Sequence, residues 1–206
     1  MFAKIKKLIN QQLRKKINEE NRLRLNNRDF SVLSANCTGA FILHDLGQKF
    51  NSPFVNLYLA PPDFVKYLQR IEHYMQADLE FIPTEKNYPV AKLDDLTIHF
   101  MHYHSEQEAR EKWLERTKRI NLANLFVIIS ELGACDEQTL RDFDALPFKN
   151  KVAFTQNAYP ELQSTFQIQG FKGQKQLGDL FAFSGWNGHK YYDQFDYVSW
   201  FNGQLK

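Results

Sequence analysis

Apolar residues recur at three- and four-residue steps from the start of the chain: Phe2, Ile5, Leu8, Ile9, Leu13 and Ile17. That spacing puts them on one face of a helix. It predicts a helix over 1–28, with lysines and arginines on the remaining surface and Asn26-Asn27 as its stop. The pattern then changes. Phe30 to Leu33 is a short apolar run of strand character, Ser34 to Gly39 are small or polar, and Phe41, Ile42, Leu46 and Phe50 resume a helical spacing. A strand that becomes a helix through small polar residues leaves backbone N–H groups unpaired at the helix start. Such a place attracts anions and lowers the pKa of a thiol, and Cys37 lies in it.

The remaining periodicities predict a strand over 54–59 and a helix over 61–76 opened by Pro61-Pro62-Asp63. Short strands follow over 79–82 and 88–93, then a turn at Asp94-Asp95 and a buried strand over 96–104. Ser105 and Glu108 form a capping box for a helix over 106–120. The run 125–130 is apolar without alternation, as in a central strand covered on both faces. Asp136 caps a helix ending before Pro147, with strands at 152–155 and 165–169. A loop over 170–188 with five glycines and a closing helix over 191–201 complete the chain. Strand–helix alternation at this spacing predicts a single α/β domain over 29–206, its largely parallel, mixed sheet flanked by helices, preceded by the basic amphipathic arm. Sites in open α/β sheets lie at the carboxyl ends of the strands. That rule gathers Cys37, the 102–105 segment and the loops after Ser130 and Thr155 on one rim.

Charge sharpens the picture of the arm. Nine Lys/Arg against Glu19 and Glu20 give residues 1–28 a charge of +7, so the overall +2 leaves −5 on the remainder. A basic arm on an acidic body is expected to meet something anionic. An anionic membrane surface, the domain itself, or a second copy in a homo-oligomer are the partners it fits. With Phe2 as its sole aromatic it has no stacking platform, so nucleic acid is not expected. No apolar run approaches the roughly 20 residues needed to span a bilayer, and no secretory signal pattern opens the chain. Two cysteines far apart, Cys37 and Cys135, fit a reduced, cytoplasmic protein, which the arm could hold peripherally against the inner membrane.

Several side chains could carry chemistry. Cys37 is a candidate nucleophile. His44 lies two helical turns beyond it, about 10 Å by helical rise, too far to serve it as base, and His44 with Asp45 reads more simply as a packing pair. Asp45 is also carried as a substrate contact. On a strand His102 and His104 would share one face and His99 the other; His102 or His104 at the strand terminus, and His99, are candidate bases, and a metal is not expected because no third ligand follows by spacing. Arg116 and Arg119 stand three apart on a helix and could fork onto phosphate, or pair with Glu111 and Glu115. Asp142-Phe143-Asp144 matches a metal-binding Asp-x-Asp, but inside a helix its carboxylates diverge. Glycine-rich phosphate loops are absent, and no cofactor is expected.

Taken together, several blocks resemble a bacterial family of unknown function whose members are usually labelled exopolysaccharide or capsule biosynthesis proteins. They are Ser34 to Gly39, Asn51 to Phe54, Ile98 to Tyr103, Lys112-Trp113 with Arg116 and Arg119 to Asn121, and Leu146 to Val152. The resemblance covers about 30–202. Where the family has an aromatic residue and a second glycine after the cysteine, this chain has Thr38 and Ala40. The resemblance implies a cytoplasmic α/β protein of surface-polysaccharide assembly. The expected activity is a transferase acting on a nucleotide- or lipid-phosphate-linked sugar, with Arg116 and Arg119 on the phosphate, His102 or His99 as base, and Asn36 and Cys37 lining the site. Cysteine-dependent acyl transfer to a glycan and a non-catalytic assembly role are the alternatives.

Overall fold

The computed structural model describes residues 2–205. The chain opens with α1 (Phe2–Arg24), then β1 (Ser31–Ser34) and α2 (Thr38–Asp45). The strand expected over 54–59 is reduced to β2 (Tyr58–Leu59), because Pro53 and the left-handed Asn56 (φ 61°) curl the residues before it. The helix expected over 61–76 breaks at Arg70 into α3 (Pro61–Gln69) and α4 (Ile71–Gln76). Next come β3 (Leu79–Ile82), β4 (Val90–Leu93) and β5 (Leu96–His99), with Asp94 at φ 55° turning the chain between the last two. Then follow α5 (Glu106–Thr117), β6 (Leu125–Ser130), α6 (Glu137–Asp144), β7 (Asn150–Thr155) and β8 (Thr165–Gln167). The closing helix is split into a 3-10 turn, Tyr191–Gln194, and α7 (Tyr197–Phe201).

The strands form two sheets. One is wholly parallel, in the order β1-β6-β7-β8; the other is antiparallel, in the order β2-β5-β4-β3. The single α/β domain is thus mixed, and its antiparallel strands form a layer of their own. Parallel β1 and β6 are joined by about ninety residues, and the second sheet is built from that crossover. Alternation along β6 explains the layering. Phe126 and Ile128 enter one apolar cluster with α2 and α7, while Val127 and Ile129 enter the other with the antiparallel sheet, α3 and α5. Both faces of β6 are covered, so its sequence reads as a continuous apolar run.

β1 is an edge strand, and side chains close its open edge. The Val32 N–H donates to Asn51 Oδ1 at 3.2 Å, Asn51 Nδ2 donates to the Phe30 carbonyl, and Ser52 Oγ donates to the Val32 carbonyl. The Asn51-Ser52-Pro53 break is therefore a lid on a strand edge.

The N-terminal helix packs the wrong way round for its pattern. Asn10 and Arg14 are buried, Asn18 and Asn21 half-buried, and Leu25 fully covered, so the polar face meets the domain. Arg14 lies at the centre. Its Nη2 donates to Asp45 Oδ2 at 2.7 Å and its Nη1 to Asp193, while Lys190 Nζ reaches Asp45 at 2.8 Å and the Tyr192 hydroxyl also donates to Asp45. Two cations against two carboxylates leave this buried cluster without net charge, the arrangement that makes buried ions tolerable. Asn10 adds a clamp, donating to the Gly185 carbonyl and accepting from the Gly188 N–H, both at 2.9 Å.

Candidate functional site

β1 ends at Ser34, and the turn into α2 is built from its small polar residues. The Thr38 N–H donates to Asn36 Oδ1 at 3.0 Å and the Gly39 N–H to Ser34 Oγ at 3.3 Å. Gly39 is required for close approach: a Cβ there would stand 2.8 Å from Ser34 Cβ and 3.1 Å from Val32 Cγ1. The helix start thus spends two of its first N–H groups on its own loop, and it offers an anion less than the sequence pattern promised.

Cys37 faces a cavity of about 220 Å³. The cavity lies at the carboxyl ends of β1 and β6, where sites in parallel sheets form. Asn36 and Cys37 line one side, Ser130 the floor, and Met101 and His102 the rim. Tyr58 and the loop Leu177 to Phe181 complete the lining, and Phe181 is held by stacking on Phe41 at 4.3 Å. Most of this lining is apolar, with a few polar groups converging on it, which is the usual composition of a small-molecule site.

Two polar groups in it are informative. Ser130 is 3% exposed, and its Oγ has no hydrogen-bond partner among the described residues. A buried hydroxyl is nearly always paired, since leaving one unpaired costs about 1–3 kcal/mol. Of the buried hydroxyls left unpaired among the described residues, those of Tyr67 and Ser164 lie away from the cavity, and Ser130 is a residue that lines it. Cys37 behaves against expectation: burial, with the Asp179 carboxylate second, pushes its thiol pKa up instead of down. We expect Cys37 in a Cys135→Ser protein to alkylate slowly at neutral pH, with a midpoint above the ~8.5 of a free thiol. A midpoint below that value would restore the nucleophile. Cys135 itself is buried and pushed up to about 12, by burial first and then by Glu131.

His102 reaches the rim because β5 stops early. The strand expected over 96–104 ends at His99, and the chain turns through Met101 and His102, with the His102 N–H donating to the Asn56 carbonyl at 3.3 Å. His102 and His104 therefore do not share a strand face. His99 stays outside the cavity lining, its ring 6.1 Å from those of both Tyr58 and Tyr88, and its pKa is lowered by burial and then by Lys86.

The other candidates lie elsewhere. Arg116 Nη1 donates to the Tyr103 hydroxyl at 2.8 Å, and its guanidinium lies over the Phe50 ring. Arg119 donates to the Phe50 carbonyl at 3.0 Å and pairs with Glu115. Neither lines the cavity. Asp45 is at the far end of α2, eight residues and about 12 Å of helix from Cys37, inside the ion cluster. Asp144 accepts the Ser164 N–H at 2.7 Å, and among the described residues no three His, Cys, Asp or Glu gather as a metal site. A second cavity, of about 250 Å³, follows the seam between α1 and α7. There Arg24 pairs with Asp196 and Asn21 with the Tyr197 hydroxyl, so those groups already have partners.

Ser130, Tyr58 and Asp179 were not singled out from the sequence. Ser130 carried a usable signal, as the polar residue closing the most apolar strand. Asp179 carried none, because only folding brings the glycine-rich segment over the sheet.

The family described as "Domain of unknown function (DUF1919)" matches residues 8–202. The chain belongs to this family. The match reaches back into α1, so most of the helix that the sequence blocks left outside the resemblance is part of the family's unit. A relative from Haemophilus influenzae, described as "Uncharacterized protein", is 58% identical over 201 residues, covering 98% of each chain. Family and bacterial kinship are thereby established, and neither description assigns a reaction. Among the described residues no helix is long and apolar enough to cross a membrane.

Proposed function

We propose that the cavity binds one sugar unit, and that the protein is a transferase building or modifying a surface glycan from a nucleotide- or lipid-phosphate-linked donor. The observation that carries this reading is the unpaired Ser130 hydroxyl bordering a cavity of mixed character at the carboxyl edge of the sheet. A sugar ring presents both surfaces such a cavity needs: C–H faces for Tyr58, Met101 and Phe181, and hydroxyls for Ser130, Asn36 and Asp179. At about 220 Å³ the space takes a sugar and leaves the rest of a donor outside. Surface-polysaccharide assembly is part of this proposal and is carried by neither the family description nor the relative's.

In this reading His102, exposed at the rim, accepts the proton of an acceptor hydroxyl as that oxygen bonds to the anomeric carbon and the phosphate leaves with the bonding electrons. Phosphate contacts from Arg116 and Arg119 would require these side chains to leave Tyr103, Phe50 and Glu115. Acyl transfer through Cys37 is disfavoured by the raised thiol.

The test is thermal unfolding with free monosaccharides and with sugar nucleotides such as UDP-glucose and UDP-N-acetylglucosamine. At least one is expected to raise the melting temperature saturably. Ser130→Ala should weaken that ligand by about tenfold, the worth of one hydrogen bond, while leaving the free protein as stable as before. If none of these compounds stabilises the protein, or if Ser130→Ala destabilises the free form, the proposal fails.

A further inference from the structure

We infer that α1 is a fixed docking ridge for an anionic lipid surface, laid against the bilayer by the face that points away from the domain. The inference is independent of what occupies the cavity.

The polar face of α1 is used up on the domain by Asn10, Arg14, Asn18 and Asn21. Its apolar face is left outside: Phe2, Ile5, Leu8, Ile9 and Leu13 are 39–80% exposed. Soluble helices bury such a stripe, and contiguous exposed apolar surface marks an interaction site. The ridge runs on into the loop that Asn10 clamps. Trp186, 47% exposed, meets the Phe2 ring edge-on at 6.4 Å, and Lys6 Nζ lies 5.5 Å from its ring centre. An aromatic pair with a lysine beside it is the composition found where protein meets the headgroup layer.

Charge selects the occupant. Residues 2–18 contain Lys4, Lys6, Lys7, Arg14, Lys15 and Lys16 and no carboxylate. Arg14 is committed to Asp45 and Asp193, and Lys7 lies on the domain-facing stripe three residues before Asn10, so Lys4, Lys6, Lys15 and Lys16 flank the ridge, Lys16 with Glu20 at 4.0 Å. A second copy packed on it would bring eight of these lysines together, an excess of like charge. An anionic bilayer supplies both an apolar layer and a negative surface, and a basic amphipathic helix lies in its plane. The ion cluster and the Asn10 clamp hold the helix to the domain, so docking would bring the whole body to the surface.

The full chain is mixed with vesicles of phosphatidylcholine alone and of equal parts phosphatidylcholine and phosphatidylglycerol, and binding is read by co-sedimentation and tryptophan emission. Trp113 and Trp200 are buried, so a blue shift on binding reports Trp186. Binding to the anionic vesicles is expected, weakening as salt rises. The double substitution Ile5→Glu and Ile9→Glu should lower it at least about tenfold without changing the melting temperature, because both side chains are exposed. Changing Lys4, Lys6, Lys15 and Lys16 to glutamine should remove the preference for phosphatidylglycerol. No binding to the anionic vesicles, or equal binding to neutral ones, overturns the inference. So does a solution mass of two copies that the Ile5/Ile9 double variant returns to one, since the ridge would then belong to a dimer.

Discussion

Arg14→Ala is expected to destabilise the protein by about 3–5 kcal/mol, the cost of breaking a buried ion pair from one side. Arg14 and Asp45 side chains are each only 6% exposed, and Asp193 is 7% exposed. Without the guanidinium Asp45 keeps Lys190 and the Tyr192 hydroxyl, while Asp193 keeps the Tyr197 hydroxyl and the Lys190 N–H, with His189 at 3.6 Å as its nearest ionisable side chain. For a chain of this size the melting temperature should fall by roughly 10 °C. Lys15→Ala, next in sequence but exposed, should change stability by less than about 0.5 kcal/mol. If the two variants melt together, the cluster does not hold the helix.

The same cluster sets an acid limit. Burial raises the Asp45 pKa, but hydrogen bonds from Lys190 and Tyr192 and the charges of Arg14 and Lys190 outweigh it and hold it at about 2, against an ordinary 3.8. A carboxyl depressed in the folded state stabilises above its unfolded value and loses that contribution as pH falls through the folded one. Stability from Asp45 is therefore complete above pH 3.8 and drains away towards pH 2. Arg14→Ala should narrow that window, because one of the charges that depresses the carboxyl is gone.

Gly188→Ala is the second large effect, at about 2–4 kcal/mol from overpacking plus a disfavoured backbone. Gly188 sits at φ +77°, and a Cβ there would stand 2.6 Å from Leu13 Cβ and 3.0 Å from the Leu13 carbonyl carbon and the Arg14 nitrogen. Backbone atoms cannot rotate aside, so α1 and the loop must separate and the Asn10 clamp must open. Tryptic cleavage at Lys15 and Lys16 should accelerate along with the drop in melting temperature. Gly173 is the control: its φ is +81° with no atom of the described residues within 4 Å of the added Cβ, so alanine there should cost only about 1 kcal/mol. Equal losses at both positions would mean that the loop does not bear on the helix.

The turn at Asn36-Cys37 and the helix–strand alternation were legible because each depends on neighbours a few residues away. The strand through His102 was overextended because apolar character continues past the point where the chain turns under Asn56. Arg116 and Arg119 illustrate a different limit. Their helical spacing was visible, but Tyr103, Phe50 and Glu115 took them first.

The helix at the N-terminus separates the two kinds of information most clearly. Its existence, its apolar stripe and its excess of lysine follow from the sequence by itself, since they need only a 3.6-residue period. A hint of the reversal was also there, in Asn10, Arg14, Asn18 and Asn21 at helical steps opposite the stripe. Which face would turn inward depended on Asp45, Asp193, Gly185 and Gly188, 31 to 179 residues distant. Only the tertiary structure brought those partners together, because periodicity records what an element has on each side, and burial is decided by what the rest of the chain places against it.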